Sequence, residues 1–180
     1  VTNTLIAAIR RTNRIIALLV GLVLTGTVIL IIAEIVLREV GISLGGAEEI
    51  SGYVMAGVAS WGMSYALTEL AHVRIDLIRL RLQTRGRALL DLIAIVALAG
   101  VASLVAFQCW PVLEKTIERG SRANTTLETP LWIPQTIWLS GWIWFAVSAC
   151  VLVILSLMMR RDFDQADALV GARSEVELET

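Results

Sequence analysis

The sequence predicts an all-α membrane protein of four transmembrane helices, with a short interfacial amphipathic helix between helices two and three. Three observations predict it. Hydrophobic residues make up 57% of the 180 positions and charged residues 17%, with a mean hydropathy of +0.76, far from the average soluble domain. The charges are also bunched. Nineteen uncharged residues separate Arg14 from Glu34, nineteen separate Glu49 from Glu69, twenty-two separate Asp91 from Glu114, and thirty-one separate Glu128 from Arg160. A hydrocarbon core of about 30 Å needs about 20 helical residues, so every window is long enough to cross. None carries the polar stripe that a helix of a soluble bundle requires.

The third observation is the placement of basic residues. With four spans, the two termini and the middle loop share one side, which holds Arg10, Arg11, Arg14, Arg74, Arg79, Arg81, Arg85, Arg87, Arg160, Arg161 and Arg173. The other side holds Arg38, Lys115, Arg119 and Arg122. Eleven against four puts both termini in the cytoplasm by the positive-inside rule. The expected organisation is a single four-helix membrane domain over residues 1–160 and a polar, acidic cytoplasmic tail over 161–180, too poor in apolar residues to bury a core. The first window is too long for a signal-peptide core and ends in no small-residue cleavage pattern, so it is expected to remain as a helix.

Helix one is expected from about Thr12 to Arg38. Glu34 lies four residues before Arg38, so the two share a face near the boundary and form an intrahelical pair. "GISLGG" (Gly41–Gly46) reads as a tight turn. Helix two follows, opened by Glu48 and Glu49. Along it Gly52, Ala56, Ser60 and Ser64 recur every fourth residue, a small-residue ridge that lets another helix backbone approach closely. That neighbour could be in this chain or in another, and Val58 is expected to face lipid.

Between helices two and three, "ELAHVRIDLIRLRLQTRGR" (Glu69–Arg87) puts Leu70, Val73, Leu77 and Leu80 on one helical face. Its period-two alternation would also suit a strand, but a lone strand at a membrane surface leaves its backbone groups unpaired. The segment is therefore expected to be an interfacial amphipathic helix. His72, Arg74, Asp76, Arg79, Arg81 and Arg85 are its membrane-surface residues, with the arginines toward anionic headgroups of the membrane lipids. Helix three is expected from about Arg87 to Trp110, with Asp91 in its first turns and Pro111 after it. "EKTIERGSR" (Glu114–Arg122) extends that helix or starts another. Helix four is expected from about Gln135 to Met159, with Trp132, Trp138, Trp142 and Trp144 as an aromatic belt or a docking face.

Several chemistries find no residues to carry them. The single histidine, His72, cannot supply the ligand pairs of a haem bundle. No Ser-His dyad, Asp cluster or phosphate-cradling glycine loop occurs. Cys109 and Cys150 read as small hydrophobes rather than a disulfide or metal pair. No enzyme activity, cofactor, metal or nucleic-acid partner is expected. The middles of the windows hold no Asp, Glu, Lys or Arg, which gives an ion path through this chain alone little support.

Four features in order then make a recognisable series: Arg38 after helix one, Glu48 and Glu49 opening helix two, "AHVRIDLI" (Ala71–Ile78) after it, and "TPLWIP" (Thr129–Pro134) leading into helix four. Over roughly Arg14 to Met159 the chain resembles the small membrane subunit, DctQ-type, of tripartite ATP-independent periplasmic (TRAP) transporters. The resemblance implies a bacterial inner-membrane protein that pairs with a large multi-spanning membrane subunit. That subunit holds the substrate and sodium sites and is served by a periplasmic substrate-binding protein. The small subunit is then a non-catalytic scaffold in the uptake of a small organic acid or similar solute. Arg38, Glu48, Glu49, Gly52, Ala56, Ser60 and Ser64 become candidates for the partner interface. Where family members often carry a tryptophan ahead of the acidic pair, this chain has Gly45, Gly46 and Ala47. Glu48 and Glu49 can either cap the helix N-terminus, where the dipole favours negative charge, or face a partner. The alternative function is a stand-alone homodimeric transporter with Glu34 as coupling carboxylate.

Overall fold

The computed structural model describes residues 2–69 and 84–158, and these form four helices: α1 (Thr2–Glu39), α2 (Ala47–Thr68), α3 (Thr84–Glu118) and α4 (Trp132–Met158). Among the described residues no strand forms beyond an isolated bridge between Arg122 and Pro130. The interfacial segment with His72, Arg74, Asp76, Arg79 and Arg81 lies outside the described residues, as does the tail. Arg85 falls in the first turn of α3.

Among the described residues three segments are long and apolar enough to cross a membrane: Thr4–Glu39, Leu89–Glu118 and Trp132–Met158. Helix α2, expected as the second of the four spans, is not among them. Its 22 residues reach about 33 Å, so length is not what it lacks. Gly52, Gly57, Gly62, Ser51, Ser60 and Ser64 dilute its apolarity, and a charge-free window does not register that dilution.

α1 runs further than expected, beginning at Thr2, ten residues before Thr12. α3 continues through Pro111 to Glu118, so Glu114–Glu118 extend that helix rather than start another. Proline removes one backbone hydrogen bond, a loss that membrane helices tolerate when neighbours hold them. Here Leu113 and Thr116 are buried beyond the proline, and the Thr116 hydroxyl donates to the Val112 carbonyl at 2.9 Å.

Extensive contacts join α1 to α2, α2 to α4, and α4 to α3. The spatial order is therefore α1–α2–α4–α3, an open row in which the last helix of the sequence occupies an inner place. The core lies where α2, α3 and α4 meet: Leu67 from α2, Ile95, Ala99 and Ala102 from α3, and Phe145, Ala146, Ala149 and Leu152 from α4. Small residues bring α2 and α4 together. Ser60 faces Gly141, where an added Cβ would collide with the serine side chain and backbone, and Gly57 sits against Ile137. The Trp61 indole donates to the Ile137 carbonyl at 3.0 Å across the same crossing.

Helix α1 is organised differently. Its buried polar residues, Asn13, Thr27 and Glu34, are spaced by multiples of seven and so lie on one face. The opposite face carries Ile15, Leu18, Leu22, Ile29, Ile32 and Val36, all exposed, at the alternating three- and four-residue spacing of a helix-packing seam.

Candidate functional site at the paired-loop end

The α1–α2 linker and the α3–α4 loop meet at one end of the row. Both helices that enter this end stop the same way. After α1, Gly41 takes a φ of 82°, its N–H donates to the Arg38 carbonyl, and the Ile42 N–H donates to that of Leu37. After α3, Gly120 takes a φ of 57°, its N–H donates to Ile117, and the Ser121 N–H donates to Thr116. This pair of bonds is the Schellman arrangement, which needs a left-handed residue that glycine adopts without a Cβ penalty. The linker then turns again at Gly45 and Gly46. Leu127 of the other loop lies so close to Gly46 that a Cβ there would come within 2.5 Å of it. That contact, rather than a tryptophan, anchors the start of α2.

Glu34 is the hub of the linker. Its carboxylate accepts from the Ser43 hydroxyl at 2.9 Å, from the Leu44 N–H at 2.8 Å and from the Arg38 guanidinium at 3.3 Å. The pair with Arg38 is present as the spacing predicts, but Arg38 is 62% exposed, so the pair itself contributes little. The bonds to Ser43 and Leu44 hold more, being charge-assisted and to groups fixed by the turn. Sequence spacing pointed to Arg38 and gave no sign of these two.

The two glutamates that open α2 separate in role. Glu49 accepts from the Tyr53 hydroxyl at 2.6 Å, one turn on. The hydroxyls of Thr125 and Thr129 and the Leu127 N–H face the same carboxylate, yet its buried Oε2 has no hydrogen-bond partner among the described residues. Glu48 is 91% exposed and stands 3.8 Å from Arg38. Together Glu34, Arg38, Ser43, Glu48, Glu49 and Tyr53, with Thr125 and Thr126, line an open cavity of about 720 Å³. No group of three or more His, Cys, Asp or Glu suited to a metal occurs among the described residues.

The ridge on α2 divides in two. Ser60 and Ser64 are buried within this chain, whereas Gly52 is exposed and Ala56 half-buried. Nothing lies within 4 Å of a Cβ placed on Gly52. Val58 lines a groove facing α1 instead of standing clear on the surface. At the far end Asn13, fully buried, ties three helices. Its amide donates to the Ser64 carbonyl at 3.0 Å and to Thr68 Oγ1 at 3.3 Å, and its oxygen accepts from the Trp144 indole at 2.8 Å. Asn13 was not among the candidates. Its signal was available in its spacing, by multiples of seven, to Thr27 and Glu34.

The assembly of apolar spans with a cluster of carboxylates at one end is compatible with several membrane roles. A model of the family described as "Tripartite ATP-independent periplasmic transporters, DctQ component" matches residues 27–162, well over half of the chain. The chain belongs to the DctQ family. No curated protein and no solved structure matched it. As a DctQ protein it is a membrane component of a transporter, not a member of a catalytic family. The matched stretch runs from Thr27 through the paired-loop end to the last turn of α4 and beyond, and so contains the whole candidate site.

Proposed function

We propose that this DctQ protein is a non-catalytic scaffold subunit, paired with a large multi-spanning TRAP membrane subunit in sodium-coupled uptake. The solute is a small organic acid or similar compound delivered by a periplasmic binding protein. In this reading all four helices span the bacterial inner membrane, the paired-loop end faces outward and both termini are cytoplasmic. The observation that carries it is α1. Asn13, Thr27 and Glu34 turn inward and are satisfied within the chain, while an outward aliphatic seam from Ile15 to Val36, interrupted at Thr25, whose hydroxyl donates to the Gly21 carbonyl, stays uncovered. Such a seam offers a neighbouring helix close contact without desolvating any polar group. Arg38, Glu48, Gly52 and Ala56 remain accessible for the same partner. Glu49, Ser60 and Ser64 already have neighbours in this chain.

Glu34 speaks for the scaffold as well. A coupling carboxylate must gain and release its ion, and this one is held by Ser43, Leu44 and Arg38. The test is uptake by the intact transporter carrying Glu34→Gln. Uptake is expected to persist once assembly is matched by co-purification. Solute transport by the purified chain alone in liposomes would overturn the scaffold reading. Orientation is checked by cysteine labelling after replacing Cys109 and Cys150. Positions near Glu48 and Ser121 should label from outside and Arg85 only after lysis. External labelling at Arg85 would reverse the topology.

A further inference from the structure

Between α1 and α2 runs an apolar groove of about 550 Å³, lined by Val20 and Val23 on one side, Val54, Gly57 and Trp61 on the other, and Ile137 of α4 at its floor. The one polar atom that Trp61 could present is already donated to Ile137. At its upper end the groove meets the polar cavity, and Tyr53 belongs to both. The Tyr53 hydroxyl serves Glu49. From Tyr53 to Trp61 is about 12 Å along the helix, within the depth of one leaflet of a core of about 30 Å. A polar pocket standing directly on an apolar channel of that depth has the shape of a lipid molecule.

The charges at the mouth select the headgroup. The Arg38 guanidinium and the Glu48 carboxylate lie 3.8 Å apart, 62% and 91% exposed, so both can turn toward a ligand. Glu49 adds a second carboxylate with a buried, unpartnered oxygen. A phosphate beside Arg38 places a neighbouring ammonium among these carboxylates, and a primary ammonium donates three hydrogen bonds there where a quaternary one donates none. An anionic headgroup would meet Glu48 and Glu49 as like charges. A free cation would leave the groove unfilled.

We propose that this chain holds one phospholipid with a zwitterionic, primary-amine headgroup, its acyl chain in the α1–α2 groove and its headgroup in the cavity of Arg38, Glu48 and Glu49. The lipid then completes the surface that α1 and α2 present to their surroundings. The proposal rests on the reading that α1 and α2 lie in the bilayer, and adds a ligand to the scaffold role.

The test is native mass spectrometry of the intact complex with its large subunit, released from vesicles of equal phosphatidylethanolamine and phosphatidylglycerol. The wild type should retain one phosphatidylethanolamine, enriched about threefold or more over phosphatidylglycerol. Arg38→Gln combined with Glu48→Gln should abolish the enrichment, and Val20→Trp, which fills the groove, should abolish retention. Equal retention of the two lipids by the wild type, or retention of neither, overturns the proposal whether or not any variant folds. So does a crosslink from Val20→Cys to the large subunit, which would put a protein helix in the groove. In each of these cases an intact complex leaves the scaffold role standing. Failure of the complex to form with wild-type protein counts against the scaffold role instead.

Discussion

Helices α1 and α4 are both long enough to cross a membrane, yet only 6% of the best window of α1 is buried inside the chain, against 44% for α4. The more apolar window is the less buried one. In water this would be an inversion, because burial there follows hydrophobicity. In lipid the drive to associate comes from close packing and hydrogen bonds. The helix that buries most is accordingly the one with Gly141, Ser148 and Ala149 along its contact face. The helix that buries least turns Asn13, Thr27 and Glu34 inward, where Asn13 bonds to both α2 and α4, and turns aliphatic residues outward. Apolarity here marks the surface, and small or polar residues mark the contacts.

That contrast can be broken most forcefully at α4. Gly141→Leu would drive a side chain into the Ser60 backbone and should cost about 3 kcal/mol, the upper range of overpacking in cores, read as thermal stability of the purified chain. Next comes the polar side of α1. Asn13→Leu removes the bonds to Ser64, Thr68 and Trp144 and should cost about 1–2 kcal/mol. A variant as stable as wild type would show that the buried asparagine does not hold α1. The two halves of the ridge sharpen the comparison further. Ser60→Leu should behave like Gly141→Leu, while Ala56→Leu, at a half-buried position, should cost under about 1 kcal/mol. Equal losses would mean that Ala56 is as enclosed as Ser60. The smallest effect belongs to the outward seam. Leu22→Ala should change stability of the isolated chain by no more than about 0.5 kcal/mol, yet lower recovery of the large subunit in co-purification. An unchanged recovery would assign the seam to lipid.

Much of this was legible in the residues. The uncharged windows located α1, α3 and α4, since a span needs length and freedom from charge and both are countable. The order Arg38, Glu48, Glu49, "AHVRIDLI", "TPLWIP" identified the family. Spacing of four found the Glu34–Arg38 pair. What spacing could not reach was contact between segments distant in sequence. The grip of Glu34 on Leu44 depends on how Gly41 turns the chain, and Leu127 over Gly46 joins loops separated by two helices. The ridge on α2 was visible as a pattern, but its division between Ser60 and Gly52 depends on where α4 crosses. The place of α4 between α2 and α3 follows from no local signal.

That place has a consequence for biosynthesis. The helices leave the ribosome in the order α1, α2, α3, α4, but α3 has its extensive contacts with α4 alone. The hairpin of α1 and α2 can form as soon as both are inserted, since Asn13, Ser64 and Thr68 meet without help from later residues. Ile95, Ala99 and Ala102 of α3 gain the α4 part of their core only when the last helix arrives and fills the place beside Ser60. Assembly of the row is thus completed by its final segment, and a chain halted before Trp132 would lack the helix against which α3 makes its extensive contacts.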